Sequence, residues 1–125
     1  MSGWRPTATP ATLRARSAMV DRVRRFFAER SVLEVDTPVL QGGANLDHGV
    51  QPFRLRERFL PTSPEHPLKR LVAAYGCDVW TLAPAFRAGE RGARHQPEFR
   101  MLEWYRVGWD DTRLADETVE VLRAI

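Results

Sequence analysis

The sequence predicts an α+β fold in which an antiparallel sheet is flanked by helices, and three observations carry that expectation. Residues 79–87 and 98–106 are two strand-length runs rich in aliphatic and aromatic side chains, separated by a polar, glycine-containing loop. Three other segments place apolar residues at helical spacing: Met19, Val20, Val23, Phe26 and Phe27; then Leu68, Leu71, Val72 and Tyr75; then Leu114, Val121, Leu122 and Ile125. Finally, 125 residues with 43% hydrophobic and 28% charged content suit one soluble domain, and that balance excludes both disorder and a membrane-spanning chain.

Taken in order, residues 1–11 are rich in proline and small side chains and read as an extended arm. From Thr12, an N-cap residue type, the pattern turns helical, with arginines opposite the apolar stripe, and should stop near Arg30-Ser31. Residues 32–40 follow as a short strand ended or bent at Pro38, and residues 41–52, with three glycines, as a loop. Residues 53–60 alternate apolar with arginine or glutamate, the pattern of an edge strand. Ser63-Pro64-Glu65 then starts a helix, with serine at the N-cap, proline at N1 and an acid in the first turn. Gly76 is the expected stop, and Pro67 lies deep enough that it should remove one helix hydrogen bond. Beyond the two long strands, Asp110-Asp111 caps a further helix, whose stripe runs to Ile125 without a stop signal, so the polypeptide is expected to be cut short.

Charge and cysteine content bound the function further. The formal net charge is +3, and Lys69 is the only lysine among 19 basic residues. Seven arginines in the first thirty residues face only Asp21 and Glu29, which describes either an anion-binding stripe, as in a small basic nucleic-acid binder, or a solvated helix face. A lone cysteine, Cys77, excludes an internal disulfide. With no apolar leader at the amino end and no membrane-length apolar run, it predicts a cytoplasmic protein.

The chemistry-bearing residues gather at 86–99. A loop carrying Arg87, Arg91, Arg94 and His95 sets several cations around one cleft, and the planar fork of arginine suits phosphate. On the returning strand, period-two alternation puts Phe99, Met101, Glu103 and Tyr105 on one face. An aromatic plate, a carboxylate and a phenol beside a cationic loop suit a nucleotide with a polar or cationic substrate; the same pattern also describes a polar hairpin with a core face.

The run Phe86-Arg87, then Arg94-His95-Gln96-Pro97-Glu98-Phe99-Arg100-Met101-Leu102-Glu103-Trp104-Tyr105-Arg106, resembles motif 2 of class II aminoacyl-tRNA synthetases in its lysyl form, with the motif spanning about 79–106. Val35-Asp36-Thr37-Pro38-Val39-Leu40 resembles the end of motif 1, about 19–40, the helix-and-strand element of the family's dimer interface. Thr62-Ser63-Pro64-Glu65 with Leu68-Lys69-Arg70-Leu71 resembles the helix start that lines the amino-acid pocket. The resemblance implies that residues 12–125 are the N-terminal portion of that catalytic domain. Within the lysyl branch it is strongest to the paralogues that attach (R)-β-lysine to elongation factor P, because the Trp4-Arg5-Pro6 arm runs straight into the motif 1 helix, where a lysyl-tRNA synthetase first carries an anticodon-binding barrel.

Such a resemblance implies ATP-dependent activation of lysine or (R)-β-lysine as an aminoacyl-adenylate, a homodimer formed through motif 1, and transfer to a lysine of elongation factor P rather than to tRNA. A lysyl-tRNA synthetase fragment, or a catalytically incomplete dimerising or ATP-binding remnant, are the alternatives. Arg87 is the implied catalytic residue, on the ATP α-phosphate; His95 lies near the γ-phosphate, Gln96 contacts ATP and Phe99 stacks on adenine. Ser63, Pro64, Glu65 and Tyr105 match positions that contact the amino acid. The family's Arg-x-Glu reads Arg87-Ala88-Gly89 here, with Glu90 one place later, so that either Glu90 is the acceptor for the adenine amino group or the loop is shifted. The stretch before Thr62 is shorter than in the family, which would remove a sheet strand. Motif 3, with the second phosphate arginine and the Mg²⁺ ligands, is expected beyond residue 125.

Overall fold

The computed structural model describes residues 3–125, which form two compact units: the segment up to Ser31 with Trp109–Ile125, and Val32–Gly108.

The first unit pairs two helices. Helix α1 (Pro10–Ala28) begins two residues before the expected Thr12, because Thr9 is the cap: its hydroxyl accepts the Thr12 amide proton at 3.1 Å, and Pro10 fills the first turn, where no amide partner is needed. Val20, Val23, Phe26 and Phe27 form its buried stripe, whereas Met19 stays exposed. The chain leaves the helix through Ser31, a non-glycine residue at φ 57°. Helix α3 (Asp111–Ala124) is capped as expected, the Asp110 carboxylate accepting from the Arg113 amide at 2.8 Å. Its buried residues are Glu117 and Val121; Leu122 and Ile125, assigned to the stripe from spacing, are on the outside. Arg30 joins the two helices, with its guanidinium 3.6 Å from the Phe26 ring centroid and 3.0 Å from the Glu120 carboxylate.

The second unit holds the sheet. Strands β4 (Val79–Phe86) and β5 (Glu98–Tyr105) pair antiparallel over their full length, from Val79 opposite Tyr105 to Phe86 opposite Glu98. Strand β1 (Leu33–Glu34), much shorter than the expected 32–40, adds to the far side of β4 in parallel, so the sheet is mixed with order β1-β4-β5. Since β1 covers only Val79 and Trp80, the outer side of β4 is unpaired at Pro84, and a residue without an amide proton costs no ladder bond there. Residues 53–60 are not one edge strand but a small hairpin, β2 (Arg54–Leu55) and β3 (Arg58–Phe59), turned by Arg56 at φ 54°.

Helix α2 (Glu65–Tyr75) packs on β4 and β5 and starts one residue later than its sequence suggests. Pro64 takes the cap position and Ser63 stands before it, its hydroxyl accepting the Glu65 amide proton at 3.4 Å. That shift puts Pro67 in the first turn, whose amides lack intrahelical partners, so no bond is lost. Gly76 ends the helix at φ 60°, as expected of a left-handed cap. Leu68 is fully buried, Leu71 and Val72 are half-buried, and Tyr75, expected on the inner face, is 74% exposed. Among the described residues no helix is long and apolar enough to cross a membrane.

Candidate active site

The β4–β5 connection is closed at its neck, where the Arg87 amide donates to the Pro97 carbonyl at 2.9 Å. Inside the loop, Ala88 donates to the Gln51 carbonyl at 2.7 Å, and Gly89 at φ 82° makes the reversal a side chain would strain. Gly92 and His95 exchange backbone bonds in a tight turn. The result is a cleft of about 300 Å³ lined by Arg87, Glu90, Arg94, His95, Gln96, Glu98 and Phe99. Five sequence-predicted residues therefore meet in one place: Arg87, Glu90, His95, Gln96 and Phe99. Ala88 and Gly89 shape the loop without lining the cleft.

Arg87 is held from three directions. Its Nε donates to the Thr62 carbonyl at 3.2 Å, Nη1 stands 3.7 Å from the Glu90 carboxylate, and the guanidinium carbon lies 5.3 Å from the Phe99 ring centroid. A fixed planar donor, a further arginine, a histidine and an aromatic face make a place for a phosphate-bearing planar ligand.

Farther along β5 the character changes. Tyr105 lies six residues from Phe99, roughly 20 Å along an extended strand. Its hydroxyl donates to the Glu103 carboxylate at 3.0 Å. Burial, and then the facing Glu103 charge, push the Tyr105 phenol far above its ordinary range, so it stays protonated and remains a donor. Glu103 is itself pushed up, chiefly by burial and further by the nearby Glu65, with the Tyr105 bond opposing the shift. Glu65 goes the other way: Lys69, one turn along α2, is hydrogen-bonded to it and holds its carboxyl below the ordinary value. Two carboxylates that repel one another beside a phenol, with one cation bonded to Glu65, make a setting that favours an additional ammonium group.

The buried turn Thr62-Ser63-Pro64 joins the two regions. Pro61 accepts the Phe86 amide proton at 2.8 Å, Thr62 holds Arg87, and Ser63 meets the Glu65 amide. Ser63 and Pro64 thus sit as buried framework at the head of α2, while Glu65 and Tyr105 contribute the polar groups. Glu103, placed on this face by period-two spacing but given no role by the family resemblance, belongs with Tyr105 here, whereas buried Asn45, which bonds the same turn, has no local sequence signal. A separate cleft of about 340 Å³ lies against Pro38, Gln41, Gly42, His66 and Arg70, away from the predicted residues.

Among the described residues no three metal-ligating side chains gather. The loop cleft sets Arg87 and Arg94 beside the Phe99 ring, chemistry that would suit ATP.

The profile of tRNA synthetases class II (D, K and N) matches residues 3–125, and the chain belongs to that family. Among individual proteins it is 42% identical over 132 residues to the elongation factor P–(R)-β-lysine ligase of Vibrio vulnificus, and 40% identical over 134 residues to the ligase of the same name from Yersinia enterocolitica. These alignments take in 98% and 99% of this chain, which spans 41% of the length of either relative. Asparaginyl-tRNA synthetase from Pyrococcus horikoshii, solved with asparaginyl-adenylate, shares the fold: TM-score 0.78 and 23% identity, covering 90% of this chain and 26% of that one.

Proposed function

We propose that this chain supplies the motif 1 and motif 2 part of an ATP-dependent ligase that activates lysine or (R)-β-lysine and passes it to a lysine of elongation factor P. In the first step a carboxylate oxygen of the amino acid attacks the α-phosphorus of ATP. The bond to the bridging oxygen breaks, and pyrophosphate leaves with the electron pair. In the second, the acceptor ε-amine attacks the acyl carbon and AMP departs. Arg87 carries the catalytic role by binding the α-phosphate and stabilising the charge that accumulates there, a matter of positioning and electrostatics. Glu90 takes the adenine amino group, Phe99 the ring face, and His95 and Gln96 the distal phosphates. Glu65, Glu103 and Tyr105 receive an ammonium group of the substrate. Mg²⁺ would accompany ATP, and a homodimer would form through residues of about 19–40.

One observation carries this reading above the others: a phosphate-type cleft around Arg87 and a hydrogen-bonded carboxylate-phenol pair at Glu103 and Tyr105 lie along the same strand, joined by one buried turn. The names of relatives at 40–42% identity support elongation factor P as acceptor and lysine-type amino acids as substrate.

Exchange of labelled pyrophosphate into ATP tests it, on the purified chain and on Arg87→Ala, with lysine, (R)-β-lysine or neither. Exchange that requires the amino acid and disappears in the variant supports activation and identifies the preferred substrate. Protection from unfolding by ATP without exchange would reduce the chain to a nucleotide-binding remnant. Neither exchange nor protection would overturn the reading for this chain.

A further inference from the structure

We propose that Asn45 is a positioning residue: its side chain fixes the buried Thr62-Ser63 turn and thereby sets Arg87 on one side and the head of α2, with Glu65, on the other. The inference rests on the functional reading above only for what those two groups do; the positioning itself stands on geometry.

Asn45 belongs to a largely exposed stretch, next to Leu46 at 90% exposure, yet is itself only 5% exposed. Burying an amide without partners leaves its desolvation uncompensated, so its bonds must be made. Oδ1 accepts the Thr62 amide proton at 3.4 Å, and Nδ2 donates to Ser63 Oγ at 3.3 Å. The orientation of the amide follows from chemistry: a backbone amide can only donate, so the atom facing Thr62 must be the oxygen. Both ends of the turn then lead into the site. The Thr62 carbonyl accepts Arg87 Nε at 3.2 Å, and Ser63 Oγ also receives the Glu65 amide at 3.4 Å. Thr62 and Ser63 are buried, so solvent has little access to replace a lost Asn45. A side chain 17 and 18 residues away in sequence therefore closes a polar network that reaches both halves of the site.

Asn45→Leu removes both bonds while keeping the branched shape of a somewhat larger side chain, and Asn45→Ala does so with a smaller residue if leucine does not fit. Hydrogen exchange by NMR is read at the Thr62 and Glu65 amides and at Arg87 Nε, with the Ala83 and Met101 amides, paired across the β4–β5 ladder, as internal controls. In either variant the three reporters are expected to exchange at least tenfold faster while the sheet amides keep their rates. In the pyrophosphate assay, half-saturating concentrations of ATP and of lysine should rise together, severalfold. Unchanged exchange at Arg87 Nε and Glu65 overturns the proposal. So does acceleration that includes the sheet amides to the same degree, the mark of general destabilisation. Should the parent chain neither bind ATP nor exchange pyrophosphate, the functional reading fails, while the amide rates still decide whether Asn45 positions these groups.

Discussion

Arg87 is the residue whose surroundings demand most. A lysine there would keep the charge but lose the fork that meets the Thr62 carbonyl and a ligand together. Arg87→Ala is expected to lower amino-acid-dependent pyrophosphate exchange by about 10²–10³-fold, the range for removing a preorganised charge-stabilising donor. Arg87→Lys should recover only a minor part, as single-turnover rates will show. Glu103 invites a different measurement. Its folded pKa lies above the unfolded value, so the folded state binds more protons as pH rises through that interval, and stability falls across it. Glu103→Gln carries no such proton, and its unfolding free energy should therefore decline less than the parent's as pH rises from about 4.5 to neutrality. Glu65 has the opposite sign: with its folded pKa depressed by Lys69, its contribution is present above the unfolded pKa and lost as pH falls through the folded one. Urea titrations of Glu65→Gln and Lys69→Gln against the parent should show this contribution shrinking on the acid side.

At the scale of the element, caps and strands differ in how plainly they announce themselves. Asp110→Ala is expected to cost about 1 kcal/mol, typical for a lost N-cap, read as a lower melting temperature. The β4–β5 pair and the Gly76 stop were legible because period-two alternation and a left-handed cap are local signals. Five of the cleft residues were legible for a related reason, since they lie within one motif-length segment. The β2–β3 hairpin was not, since its turn uses Arg56 in a conformation that normally selects glycine or asparagine. Helical spacing misplaced Tyr75, Leu122 and Ile125 because it marks a stripe without saying where the packing partner ends. Asn45 escaped for a third reason: a buried amide in a glycine-bearing loop gains meaning only when residues 17 and 18 places later fold over it.

For the whole molecule, the balance of buried and exposed apolar groups is the telling quantity. Leu68, Val79, Trp80 and Ala85 form a dense centre for the sheet unit, and Leu68→Ala is expected to destabilise it by about 2–5 kcal/mol in denaturant titrations. Around that centre Leu33, Val39, Leu40, Leu46 and Leu55 remain uncovered. Apolar surface of this kind favours association. Sedimentation equilibrium should return an average mass that climbs with protein concentration; a constant monomer mass would contradict the expectation.

The threefold hold on Arg87 has a thermodynamic consequence. Freezing a long, many-jointed side chain costs up to about 2 kcal/mol, and here that loss is taken during folding, before any ligand arrives. An incoming phosphate needs only to change places with the Glu90 carboxylate, leaving the Thr62 and Phe99 contacts as they are. Capture at this point is then an exchange of one anion for another at a stationary cation, and its entropy change should be smaller than for an arginine recruited from solution.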